Sequence, residues 1–162
     1  LNDFVASAVL NNVIEILSDG TPWRPIIHTE DMARAFVWAI NRSPRAEEEN
    51  FLTVNVGSAE WTFTMDSLAN KVSKVLGGVE VLINPEGKPD PRSYRVDFSL
   101  FKELAPLHQP TKLFDDAILE LRDLILANNI PKNFRSSKWI RFNHLNALIK
   151  EQQLNKSLRW LK

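Results

Sequence analysis

Three short runs rich in β-branched and apolar residues punctuate this chain: VIEIL at 13–17, FLTVNVG at 51–57 and VEVLI at 79–83. Segments with helical spacing lie between them. This alternation constrains the fold more than any other feature, because short apolar strands interleaved with helices pack as α/β layers. The first helix is predicted over DFVASAVLN at 3–11, where Phe4 and Ala8, and Val5 and Val9, are four residues apart. SDG at 18–20 reads as the turn after the first strand. Pro25 biases Arg24 away from helical geometry, so RPII at 24–27 is expected to be extended. Thr29 is the expected cap of the next helix, with Asp31 in its first turn and Met32, Ala35, Phe36 and Ala39 on one face. That helix should end before Pro44, and RAEEEN at 45–50 reads as a charged loop.

FLTVNVG is the strongest strand signal and is expected in the core. Thr64 should cap a helix through Leu68, Val72 and Leu76, stopped by Gly77 and Gly78. The stretch 85–98 contains Pro85, Pro89, Pro91 and Gly87, so it is read as a loop with a short extended piece at Tyr94–Val96. Asp97 or Ser99 should cap a helix through Phe101. A further helix is predicted from Lys112 or Phe114 to Ala127, burying Ile118, Leu121, Leu124 and Ile125. Two helical segments follow, at Asn143–Gln152 and Asn155–Leu161.

A chain of 162 residues with 44% hydrophobic content can bury a single core. Its net charge is zero, which gives no reason to expect a nucleic-acid partner, but the charge is unevenly placed. Residues 1–127 hold 12 Lys or Arg against 19 Asp or Glu, whereas residues 128–162 hold 8 against 1. The basic tail is therefore expected to lie on the acidic body or on an acidic neighbour. Its basic residues alternate with Trp139, Ile140, Phe142, Leu145 and Leu148, an apolar side that needs covering within the chain or across a homodimer. The absence of cysteine excludes disulfides and thiolate chemistry and fits a reducing, cytoplasmic setting. No apolar run reaches the roughly 20 residues of a membrane span, and no membrane role is expected. The opening LNDFVASAVL reads as the middle of a helix, so a longer parent chain is expected.

Arg24 is the first candidate for chemistry. A guanidinium offers a planar fork of donors matching a phosphate, and the neighbouring prolines limit the freedom lost on binding. The alternative is an ion pair with a carboxylate beneath a packed Trp23. Arg92 and Arg95 flank Tyr94; they either clamp a diphosphate or form a solvated run. Asn55 ends a predicted strand, where α/β sheets bind ligands, or satisfies a turn. His28, Glu30 and Asp31 invite a general-base or metal reading, but their spacing matches no metal cluster, and a structural role is expected. There is no glycine-rich dinucleotide loop and no P-loop. The only tyrosine, Tyr94, is followed four residues later by Phe98 rather than lysine. No catalytic residue and no metal ligand are assigned.

SDGTPWRPIIHTEDMARAF resembles the G-x-x-x-R-x-(F/I)-(I/V)-H-(V/T)-x-D-x-A-x-A segment of NAD-dependent epimerase/dehydratases, the extended short-chain dehydrogenases acting on nucleotide sugars. FLTVNVG resembles that family's F-N-(V/I)-G strand, and TMDSLANKVSKVLG resembles the helix after it. PDPRSYRVDFSLFKEL resembles its D-x-R-x-x-x-x-D-x-S-K segment, with Leu100 where lysine is common. PTKLFDDAILEL resembles the closing helix, and FRSSKWIRFNHLNALIKEQQLNKSLRWLK an extension found in some members.

The resemblance implies the C-terminal portion of an extended Rossmann-type protein, with an incomplete parallel sheet and a small mixed α/β substrate-binding lid. Residues 1–127 would form the substrate-binding part and 128–162 a basic helical extension. Arg24 and Arg92 would contact the diphosphate of a nucleotide sugar, with Arg95 as a substitute. Asn2 and Asn55 would stand near the sugar. NAD or NADP is implied for the intact protein, held by an N-terminal Rossmann half that also carries Tyr-x-x-x-Lys; neither motif is in these residues, so the chain alone is expected to be inactive. The alternative is a non-catalytic domain that binds a partner protein.

Overall fold

The computed structural model describes residues 1–43, 51–88 and 90–161. The expected charged loop at 45–50 therefore lies outside the described residues. Among them, helix α1 (Asn2–Asn11) leads through Asn12, in left-handed geometry, into strand β1 (Val13–Ile16). Strand β2 (Trp23–Pro25) precedes helix α2 (Thr29–Asn41). Strand β3 (Thr62–Thr64) runs directly into helix α3 (Met65–Val75), which is followed by strand β4 (Glu80–Ile83). Helices α4 (Ser99–Leu104), α5 (Phe114–Ala127) and α6 (Arg141–Lys150) complete the order.

The sheets are small. β1 and β4 pair in parallel from Val13 opposite Glu80 to Ile16 opposite Ile83. β2 and β3 pair antiparallel, with Arg24 opposite Phe63. The architecture is thus mixed α/β with a two-stranded parallel sheet. Helix α3 leads into β4 as expected, but the parallel partner of β4 is β1, which precedes β2 and α2 in the chain. Thr64 Oγ1 accepts the Ser67 N–H at 3.1 Å, and Gly77 and Gly78, both at positive φ, end the helix.

The main core lies between α1, α3, α5 and β1. Val5, Ile14, Leu68, Val72 and Ile118 are all almost completely buried there. Phe114 anchors the start of α5 edge-on to Trp61, with ring centroids 5.0 Å apart, and also touches Phe63 at 4.8 Å. A second cluster joins Trp38 of α2 to Phe101 of α4, 5.6 Å apart.

Several expectations need correction. FLTVNVG pairs with no strand among the described residues. Leu52, Val54 and Val56 do alternate inward onto the Trp38–Phe101 cluster, so the period of two survives without the ladder. The cap of α2 is His28, not Thr29: its Nδ1 accepts the Glu30 N–H at 3.2 Å. The buried residues of α2 are Asp31, Ala35 and Trp38, while Met32 and Phe36 are exposed. Leu124 is likewise exposed on α5. Residues 155–161 form no helix. There Asn155 Oδ1 accepts the Ser157 and Arg159 N–H groups, and Leu154 bridges to Trp160. No helix among the described residues is long and apolar enough to cross a membrane.

Truncating Phe114 to Ala should cost about 3–5 kcal/mol, because a well-packed ring leaves a cavity. Phe36→Ala, at an exposed position, should stay within about 0.5 kcal/mol of the parent. Urea denaturation of both variants measures the contrast.

Candidate functional site

Arg24 sits on β2 between fully buried Pro22 and half-buried Pro25, so its backbone is fixed on both sides. Its guanidinium Nη1 donates to the carbonyls of Trp23 and Arg92, each at 2.7 Å. Nη2 donates to Asp90 Oδ2 at 2.7 Å. Arg92 grips the same carboxylate with two parallel bonds, Nε to Oδ1 at 2.9 Å and Nη2 to Oδ2 at 2.7 Å. The Arg92 backbone N–H also reaches Oδ1, at 3.0 Å. The loop is fastened to β2 by the Trp23 N–H on Ser93 Oγ at 3.0 Å. Tyr94 lies beneath Arg24, 5.9 Å from ring centroid to guanidinium carbon.

Two guanidiniums on one carboxylate leave one net positive charge. Arg92 hydrogen bonds hold the Asp90 carboxyl well below the usual carboxylate range, with backbone and charge interactions adding to them. Asp90 in turn raises the Arg92 guanidinium. The Arg92 side chain is 82% exposed and Arg24 22% exposed, so one arginine is available to solvent and the other is a fixed support.

These groups line one side of a cleft of about 480 Å³. Its other walls are the start of α1 (Leu1, Asp3, Phe4), the end of β1 (Glu15, Ile16, Leu17) with Ser18, and Met65. Ligands in α/β folds gather outside the carboxyl ends of strands, which is where this cleft lies relative to β1. Close packing shapes its rim. A Cβ on Gly87 would stand 2.6 Å from the backbone carbon of Ser18, so only glycine lets the loop after β4 approach the end of β1.

Of the five sequence candidates, Arg24 and Arg92 meet in this cleft. Arg95 instead stacks on the Trp23 indole at 4.4 Å. Asn2 lines a separate apolar hollow of about 610 Å³ together with Leu124, Phe134 and Trp139. Asn55 donates to the Asp97 carbonyl at 3.4 Å and does not line the cleft. The residue missed was Asp90. Its D-x-R spacing to Arg92 was visible, but its pairing with Arg24 across 66 positions was not. Arg24 is thus ion-paired with a carboxylate, as the alternative reading expected, and it also lines the cleft.

The His28 region is occupied by structural contacts. His28 Nε2 is 3.5 Å from Glu120, and Lys112 bridges Glu30 and Glu120 at 3.3 and 2.8 Å. Among the described residues, no three His, Cys, Asp or Glu side chains are grouped as metal ligands.

The fold is that of extended Rossmann-type proteins. It superposes on a GDP-L-fucose synthetase from Naegleria fowleri with a TM-score of 0.57 at 21% identity, covering 79% of this chain and 39% of that one. A GDP-D-glycero-L-gluco-heptose synthase from Campylobacter jejuni, crystallised in the presence of NADPH, superposes with a TM-score of 0.56 at 14% identity, covering 78% of this chain and 44% of that one. Residues 1–57 match the NAD dependent epimerase/dehydratase family. Over 134 residues the chain is 25% identical to UDP-glucuronic acid decarboxylase 3 of Arabidopsis thaliana, covering 82% of this chain and 37% of that relative. The chain spans less than half the length of the proteins it matches.

The lowered pKa of Asp90 has a defined consequence. Its folded-state value lies below the ordinary unfolded value near 3.9, so the stability it adds is complete above that pH and is lost as the pH falls further. Asp90→Asn should therefore lower the melting temperature at pH 7, with the gap to the parent closing below about pH 4. Melting curves across pH 2–8 test this; a gap independent of pH would remove the charge from the explanation.

Proposed function

We propose that this chain is the nucleotide-sugar-binding portion of an NAD(P)-dependent sugar epimerase/dehydratase, with Arg24 and Arg92 receiving the ligand's diphosphate. The observation that carries this reading is their convergence on Asp90 at the wall of the cleft. Asp90 sets the two forks side by side, and a diphosphate offers several oxygens to the donors that Asp90 leaves over. The rigid Pro-flanked strand lowers the ordering cost of such binding. Residues 1–127 would form this part and residues 128–162 a basic extension.

The dinucleotide half is proposed as a neighbour of α2 and of segment 51–56. Met32, Phe36, Val37 and Ile40 of α2 are exposed among the described residues, and 51–56 has strand-like alternation without a ladder partner. A further α/β layer would cover the first and pair with the second. NAD or NADP, bound there, would accept and return a hydride at the sugar. Arg24 and Arg92 would orient the substrate for that chemistry. A partner-binding domain without sugar chemistry would use the same exposed surface, and ligand binding separates the two readings.

Titration with a nucleoside diphosphate tests the proposal. Arg24→Ala should weaken binding by about 1.5–3 kcal/mol, the scale of a charge-assisted hydrogen bond. Arg24→Lys should recover little, since a point charge replaces a planar fork. Equal affinity in all three folded proteins would return Arg24 to a purely structural role.

A further inference from the structure

The cleft that holds Arg24 and Arg92 has an acidic opposite wall. Asp3 from the first turn of α1 and Glu15 from β1 both line it, and Asp90 is a third carboxylate. Three carboxylates against two guanidiniums give the lining side chains a net charge of −1, which is unfavourable for an anionic ligand. The correction comes from a residue 132 positions away from Asp3. Arg135 donates from Nε to Asp3 Oδ1 at 2.9 Å, from Nη2 to Asp3 Oδ2 at 2.8 Å and from Nη1 to Glu15 Oε2 at 3.2 Å. One guanidinium thus holds both carboxylates of that wall without lining the cleft itself.

Arg135 is built into this position. Its guanidinium lies 5.2 Å from the ring centroid of Phe134, which is buried in the main core. Asn143 of α6 donates to the Arg135 carbonyl at 2.9 Å, and Ser7 Oγ accepts from Nη2 at 3.4 Å. The contacts come from two helices, a strand and the 3₁₀ turn Phe134–Ser136, so they hold the guanidinium in place although its side chain is 41% exposed.

We infer that Arg135 is a positioning residue of the anion site: it neutralises Asp3 and Glu15, making the cleft under Arg24 and Arg92 able to accept a diphosphate. The inference rests on the diphosphate reading of that cleft. Its effect is direct, since it is bonded to two carboxylates that line the cleft. Physiological salt screens charge only over roughly 8 Å. It gives the basic C-terminal segment a share in ligand affinity, beyond covering apolar surface.

The test uses the full chain and two probes, inorganic pyrophosphate and a nucleoside diphosphate, by calorimetric titration. Arg135→Gln should weaken both by about three- to tenfold at low salt, with the loss shrinking toward 1 M salt as screening shortens to roughly 3 Å. The triple variant Arg135→Gln/Asp3→Asn/Glu15→Gln should regain the parent affinity, because it removes the carboxylates that Arg135 masks. Melting curves show that each variant is folded. Parent-level affinity in Arg135→Gln, with the parent still binding, would overturn this inference alone. Loss without recovery in the triple variant would make Arg135 a merely structural support and overturn it too. Failure of the parent itself to bind either probe would overturn the diphosphate reading and this inference with it.

Discussion

The buried carboxylate of Asp31 ties the two halves of the core together. Only 3% exposed, it accepts the Thr111 N–H at 2.9 Å and the Lys112 N–H at 3.3 Å. Asp31 belongs to the first turn of α2, where the helix dipole favours a negative charge. Thr111 and Lys112 lead into α5, whose Phe114 then enters the aromatic group of the main core. One side chain thus connects the α2–α4 cluster to the α1–α3–α5 core. A buried carboxylate that lost these donors would be left with an unmet desolvation cost, so the connection is made through geometry that few alternatives can satisfy. The arrangement of the cleft follows, because α1, packed on α5, supplies one of its walls.

Elements whose signals are local were legible in the sequence. Thr64 followed by Leu68 and Val72, then by two glycines, specified α3, and the apolar runs at 13–17 and 79–83 paired as parallel strands. Where the outcome depends on a distant partner, the same reasoning stopped short. FLTVNVG has every local property of a strand, but a ladder also needs a neighbour with free N–H and C=O groups. It found instead the Trp38–Phe101 cluster, which used its side-chain alternation alone. At Asn155 the local chemistry was present but competed with helix formation: a side-chain carbonyl that accepts two backbone N–H groups favours a turn.

The candidate site divides in the same way. The Pro-flanked corner around Arg24 and the D-x-R spacing of Asp90 and Arg92 are local, and they are what made the site visible. The link between them spans 66 positions, and the link from Arg135 to Asp3 spans 132. Charge pattern hinted at the second, since a strongly basic end follows an acidic body. A pattern does not say which residue meets which, however. Most tail cations lie in solvent, where an ion pair contributes little. Arg135 is also exposed, but it differs in meeting two carboxylates at once and in following the buried Phe134, which carries the guanidinium to the surface of α1.

The exposure of α2 fits the same logic of incomplete satisfaction. A helix with Trp38 buried and Phe36, Val37 and Ile40 exposed is apolar on more of its circumference than one core contact requires. Scattered exposed side chains carry no message, but here they share one helix, and the helix adjoins a segment with strand alternation and no ladder. An added layer that offered both a strand edge and an apolar face would resolve the two deficits at once, whereas a partner that met only one would leave backbone polar groups or apolar area unpaired. On the reading proposed above, this double requirement would favour an α/β neighbour over a single docking helix or an isolated extended peptide.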